Sequence, residues 1–405
     1  MENKLQATID IGSHSCILLI AAFDGSTSSP TETVCSKDSE PAEVSAESAN
    51  LETSEIVGTK DTEPAEVPAE SANLETSETV CSKDTEPAEV PAEKHEAEPR
   101  KILVPKLQKV EVCRLGEDIY EHGKITPERI QELVQIMTKF RMDLHALGAD
   151  LKAVAMTEAM RKAENPDEVI EAVEKAIWVK PRIITGEEEG KLTYRSVKEW
   201  HGTGFVTIDI GGGSTELSNG ETTFSIPVGA LKMFKAMGPI PGPEYKKFIK
   251  ETFKEISFKG MTKKPVYLIG GTGTALAMVF LNKQVFDYKA IEGLEMSLSD
   301  LEAVTTRITN LSKELRAMLP GLENGRHEVI ICGLFWLRSL LEKLRVETFK
   351  ISTAGLRFGL LYPPEPEPEQ KPKKRPAFLK KTNTASETEI PDQVGNDKNA
   401  GDDDK

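Results

Sequence analysis

The pentapeptide Thr8-Ile9-Asp10-Ile11-Gly12, set in ATIDIGSHSCILLI, returns 199 residues later as Thr207-Ile208-Asp209-Ile210-Gly211, set in FVTIDIGGGSTEL. Each copy is an apolar, β-branched run that ends in Asp and breaks at Gly, the pattern of a buried strand feeding a tight turn. A turn rich in glycine or hydroxyls lets backbone N–H groups converge on a phosphate oxygen, and an Asp at the strand end can hold a metal ion or its water. One such loop is a weak signal. Two of one design, each leading a block of mixed sequence, imply two related halves facing each other across a cleft.

Outward from the two copies, further strand-like runs follow: CILLIAAF, VEVCRLG, LKAVAM, PRIIT, PVYLIGG and ETFKIS. Helical patterns separate several of them. One opens at Thr126 with Pro127 as its first residue, carries Ile130, Leu133, Val134, Met137, Phe140 and Leu144 on one face and stops at Gly148; another opens at Asn165-Pro166-Asp167; a third is placed on a capping box from Ser299 to Glu302. The class is α/β.

Two segments break the pattern. Residues 26–100 repeat EPAEV at Glu40, Glu63 and Glu86, a period of 23, and hold 19 acidic against 5 basic residues. So little apolar content cannot offset chain entropy, so this insert is expected to be disordered, replacing a hairpin turn between neighbouring antiparallel strands. Residues 363–405, opening PPEPEPEQKPKKRP, read as a Pro-rich, charged tail of the same kind. The formal net charge of −15 therefore belongs to the insert and tail, because the remainder holds 37 acidic and 38 basic residues. Neither a polybasic nucleic-acid surface nor a membrane segment is indicated, and five cysteines without a CxxC spacing support neither a disulfide framework nor a zinc site. A cytoplasmic protein is expected.

The paired loops resemble the phosphate-binding loops of the actin, sugar kinase and Hsp70-type fold. The fuller set of segments, DIGSHS (10–15), RLGEDI (114–119), AMTEAMRKAENPDEVI (155–170), ITGEEEGKL (184–192), IDIGGGSTEL (208–217), LIGGTGTALA (268–277), LPGLENGRHEVIICG (319–333) and STAGLRFGLL (352–361), resembles one branch of it, the exopolyphosphatase and guanosine pentaphosphate phosphohydrolase family in its short two-domain form. The resemblance implies two actin-like (ribonuclease H-like) domains, residues 1–25 with 101–200 and residues 201–362, facing across a cleft.

It also implies roles. Glu189 matches the catalytic glutamate that activates water, although three glutamates after a glycine also fit the first turn of an exposed helix. Arg161 matches a cleft arginine and Arg326 a second one; a guanidinium suits phosphate because it binds it bidentately. Asp209 and Glu216 are expected to position Mg²⁺ (or Mn²⁺) with Asp10 as the corresponding carboxylate of the first half. Phosphate contacts are expected from Gly12, Ser13, Ser15, Gly212, Gly213, Ser214, Thr215, Gly271 and Thr272. Four positions depart from the family pattern: His14 in place of Asn, Glu158 in place of a small residue, Gly190 in place of Ala and Phe358 in place of Glu.

The expected activity is Mg²⁺-dependent hydrolysis of the terminal phosphoryl group of inorganic polyphosphate. Guanosine pentaphosphate is the alternative substrate, and a superfamily kinase or a polyphosphate- or alarmone-binding protein without turnover are the alternative classes. Nucleic acid and membrane are not expected partners, and a homodimer is open, since family members often pair.

Overall fold

In the computed structural model, residues 4–24, 102–322 and 325–363 are described, so the expectations for the repeat insert and for the tail fall outside the described residues. The first sheet takes β1 (Gln6–Ile11), β2 (Ser15–Asp24), β3 (Ile102–Val112), β4 (Asp150–Met156) and β5 (Arg182–Ile183) in the order β3-β2-β1-β4-β5. The second takes β6 (Val206–Ile210), β7 (Thr215–Ser218), β8 (Thr223–Ile226), β9 (Val266–Ile269), β10 (Glu295–Ser297) and β11 (Thr348–Ile351) in the order β10-β11-β9-β6-β7-β8.

The two sheets share a plan. In each, the strand that carries TIDI pairs antiparallel with the next strand and parallel with the strand that follows the first crossover, and β2 and β7 go on to pair antiparallel with β3 and β8. The register repeats as well. Asp10 stands opposite Ile17 and beside Ala155, while Asp209 stands opposite Glu216 and beside Ile269. Each turn is closed by the same bond: Gly12 N–H donates to Ser15 O, and Gly211 N–H to Ser214 O, both at 3.0 Å.

Burial explains why the central strands read so plainly. Ile9, Ile11, Ile208 and Ile210 are closed off, and each sheet has its own apolar core, filled by Leu133, Met137 and Phe140 of the helix Pro127–Leu147 in the first case and by Trp336, Leu337 and Leu340 of the helix Arg326–Leu344 in the second. A third core joins β2 and β3 to the helix Gly186–His201, to β9 and to the segment around Phe358 through Leu19, Leu103, Trp200, Tyr267 and Phe358. The described residues up to Tyr362 accordingly make one compact unit.

Three details differ from the sequence expectation. The capping box lies at Ser297 and Asp300, so that helix starts at Leu298, two residues early; Ser299 is drawn into the first turn instead. Along the helix Pro127–Leu147 it is Ile136 that is buried, and Val134 only partly. The short strands β7, β8 and β10 went unread, because TELS, TFSI and EMS are too short and polar to show a period of two. Among the described cysteines, Cys16, Cys113 and Cys332 are free and buried.

Candidate active site

Both TIDIG turns open into one cavity of about 270 Å³. The turn residues Gly12, Ser13 and Ser15 line it from one sheet and Gly212, Gly213 and Ser214 from the other; Gly271 and Thr272, Arg326 and the carboxylates of Asp10, Asp209 and Glu189 complete it. The loops approach closely, since a Cβ on Gly212 would lie 3.4 Å from Ser13 Cβ and 3.7 Å from His14 Cβ. Gly271 lets the Arg326 guanidinium approach closely: a Cβ there would sit 2.0 Å from Nη1 and 2.8 Å from Cζ.

Glu189 occupies the first turn of the helix Gly186–His201, which Thr185 caps by accepting from the Glu188 N–H. Its neighbours point outward. Glu187 pairs with Lys191 and Glu188 with Arg182 at the surface, whereas the Glu189 side chain is only 13% exposed and meets Arg161 Nη1 at 3.0 Å. Arg161 is fixed in turn by donating to Ile184 O at 2.8 Å, and it reaches the glutamate from behind rather than lining the cavity. Burial, followed by the nearby Glu216, pushes the Glu189 carboxyl well above the ordinary carboxylate range, and Arg161 pulls it part of the way back. A carboxylate poised in this way is a better proton acceptor near neutrality than a solvated one.

Glu216 is nearly closed off, at 2% exposed, and accepts from Ser225 Oγ at 2.7 Å; it stands behind the turn, outside the cavity lining. Burial and Asp209 raise its carboxyl to about 7. Asp10 and Asp209 both rise to about 6 through burial, Asp209 also through Asp10, while Arg357 opposes the rise in each. Thr193 Oγ1 lies 3.5 Å from Asp209 Oδ2. Among the described residues Asp10 Oδ1 is buried without a hydrogen-bond partner. Crowded carboxylates that resist ionisation and leave an oxygen unsatisfied offer hard donors to a divalent cation, and they fit Mg²⁺. Among the described residues no three His, Cys, Asp or Glu side chains converge into a complete ligand set.

Thr215, expected among the phosphate contacts, is turned the other way: its hydroxyl donates to Val228 O at 2.6 Å and accepts from Trp336 Nε1 at 2.9 Å, so it is engaged in the core. Arg357 is the residue the sequence reading passed over. Its side chain reaches the cavity, acts electrostatically on both Asp10 and Asp209, donates to Gln108 Oε1 at 3.4 Å and has an Nε without a partner among the described residues. The available signal was an arginine between the glycines of AGLRFG, in a segment otherwise apolar.

The structure also sorts the four departures. His14 and Glu158 line the cavity. Gly190 packs under β8, where a Cβ would come within 2.6 Å of Thr223 Cγ2. Phe358 is fully buried, its ring edge-on to Trp200 at 5.3 Å, and does not face the cleft at all.

Two sheets of one plan, with glycine turns and acidic strand ends meeting at a shared cavity, define a phosphate-handling cleft of the actin-like superfamily. The profile of the Ppx/GppA phosphatase family matches residues 94–367, and the chain belongs to that family, a family of phosphatase hydrolases. Exopolyphosphatase 1 of Mycobacterium leprae is 28% identical over 265 residues, 61% of this chain and 78% of that protein, and exopolyphosphatase 1 of Mycobacterium tuberculosis is 27% identical over 268 residues, 61% and 77% respectively. The fold is shared with the Aquifex aeolicus family member, with TM-score 0.60 at 21% identity over 88% of this chain and 96% of that one, and with an exopolyphosphatase from Cytophaga hutchinsonii, with TM-score 0.62 at 15% identity over 89% and 97%. Among the described residues no helix is long and apolar enough to cross a membrane.

Proposed function

We propose that the chain is an exopolyphosphatase that removes the terminal phosphoryl group of inorganic polyphosphate in a Mg²⁺-dependent reaction, residues 1–25 with 101–200 and residues 201–362 forming the two lobes of its cleft. One observation carries this reading: the only glutamate of the GEEE turn that faces inward is held by Arg161 at the side of a cavity lined by both TIDIG loops. The resemblance to curated exopolyphosphatases supports polyphosphate as the substrate over guanosine pentaphosphate.

Phosphoryl transfer asks mainly for positioning and for charge stabilisation. The chain terminus lies between the loops, where Ser13, Ser15, Ser214 and the backbone N–H groups of Gly212 and Gly213 donate to its oxygens, the Gly12 N–H being engaged in closing its own turn. Arg326 and Thr272 hold the following residues of the polymer. Glu189 accepts a proton from the attacking water, and Arg161 aims the carboxylate and partly offsets the burial that resists its ionisation. Asp209 and Asp10, with Glu216 and Arg357 behind and beside them, would hold Mg²⁺, which when bound neutralises the charge developing on the phosphoryl oxygens.

The test is phosphate release from long-chain polyphosphate and, in parallel, from guanosine pentaphosphate, with Mg²⁺, by the native chain and by Glu189→Gln. Release that falls by about 10²–10⁴-fold in the variant is expected of a general base. Polyphosphate should show the higher kcat/KM; the reverse ranking would move the assignment to the nucleotide, and ATP-dependent phosphorylation of an acceptor without hydrolysis would move it to a kinase.

A further inference from the structure

Glu158 stands between the two turns of the cleft, against Ser13 and Gly213. It is the first residue of the short helix Glu158–Lys162 and is 5% exposed, yet its side chain lines the cavity. Oε2 accepts from Ser13 Oγ at 2.9 Å, and Oε1 is paired with Lys162 Nζ. The carboxylate rests on the opposite loop: a Cβ on Gly213 would lie 2.0 Å from Oε2, 2.3 Å from Cδ and 2.8 Å from Oε1. A flat, two-oxygen anion belonging to the chain itself thus fills the gap between the two turns. It takes the Ser13 hydroxyl and covers the Gly213 backbone, both of which the proposed reaction assigns to the terminal phosphate.

We propose that Glu158 is a displaceable occupant of the terminal phosphate site and determines which anions the cleft accepts. This rests on the phosphatase reading only for the identity of the anion; the geometry stands without it. Entry of a phosphate group must break the Ser13–Glu158 bond and move a negative group away from Gly213. An isolated orthophosphate brings few contacts to offset that exchange. A polyphosphate chain reaches Arg326, Gly271 and Thr272 as well, so its binding is less penalised, and the product orthophosphate is expelled as the carboxylate returns. The exchange would also separate the Glu158 carboxylate from Lys162, its partner on the same short helix.

A purely structural clamp would also show the Ser13 bond, so the test has to separate occupancy from scaffolding. Inorganic orthophosphate binding is measured by titration calorimetry on the native chain, Glu158→Gln and Glu158→Ser; KM and kcat for tripolyphosphate and for long-chain polyphosphate are measured on the same proteins, with thermal unfolding as a check on folding. Removing the occupant should tighten orthophosphate binding roughly tenfold, the scale of one charge-assisted hydrogen bond. In Glu158→Ser, KM for tripolyphosphate should fall by more than KM for the long chain, with kcat reduced through product inhibition. Glu158→Gln, which keeps the volume and loses the charge, should lie between the two. Unchanged or weaker orthophosphate binding in a Glu158→Ser protein that is still folded would overturn the proposal and leave Glu158 a clamp for the first loop. Because orthophosphate binding is read without turnover, tighter binding in a protein that hydrolyses nothing would refute the exopolyphosphatase reading and leave the occupant intact.

Discussion

Single residues decide this site through which way they face. Three successive glutamates share one turn of helix, and 100° of rotation per residue sends two of them to Lys191 and Arg182 in solvent and one to Arg161 beside the cavity. The acidic strand ends behave as a set. Asp10 and Asp209 at about 6 and Glu216 at about 7 all lie above the ordinary value near 4, so in the metal-free chain their contribution to stability is fully present below pH 4 and is lost as pH rises through 6 to 7. A divalent cation that binds the ionised forms should offset the loss. Thermal unfolding with and without Mg²⁺ is expected to show a larger stabilisation at pH 8 than at pH 5, and the difference should shrink in Asp209→Asn. An equal shift at both pH values would mean that the ion binds elsewhere.

At the scale of elements, the helix Gly186–His201 is placed by close packing more than by charge. It lies against β6, β7 and β8, and Gly190 is a point of close approach, where a Cβ would come within 2.6 Å of Thr223 Cγ2. Gly190→Ala is therefore expected to cost about 1–3 kcal/mol by overpacking, even though alanine is the better helix former. Adding Thr223→Ser removes the obstructing methyl and should recover most of the loss in a denaturant titration. If the double variant is no more stable than the single one, the strain is located elsewhere on the helix. Strands with continuous apolar runs were legible because both of their faces are buried. The hairpin β7–β8 was not, because its four-residue strands take their places from β6 and from Trp336 rather than from their own pattern.

For the whole molecule, the position of the acidic insert matters more than its charge. β2 leaves the first TIDIG turn at Ser15 and runs ten residues to Asp24, which pairs with Ile102 where β3 returns. At about 3.3 Å per residue the two attachment points lie roughly 30 Å from the loop, at the opposite end of the hairpin. Since β2 and β3 pair along their full length, replacing residues 26–100 by a short turn is expected to leave the thermal midpoint and the KM for long-chain polyphosphate unchanged over a range of salt. A KM that falls on deletion at low salt alone would show instead that the insert competes electrostatically with the substrate.

The sequence by itself determined the α/β class, the duplicated strand-and-turn plan, the main helices and most of the residues that meet in the cleft, because buried strands and glycine turns are local necessities written in consecutive residues. Only the tertiary structure decided the rest. It set Glu189 apart from its neighbours, turned Thr215 into the core, moved Phe358 out of consideration, brought Arg357 to Asp10 and to Asp209, 148 residues before it, and laid the Glu158 carboxylate between two loops 199 residues apart. These outcomes depend on the packing of segments remote in sequence, and no local pattern encodes which face a side chain will find occupied when the two sheets meet.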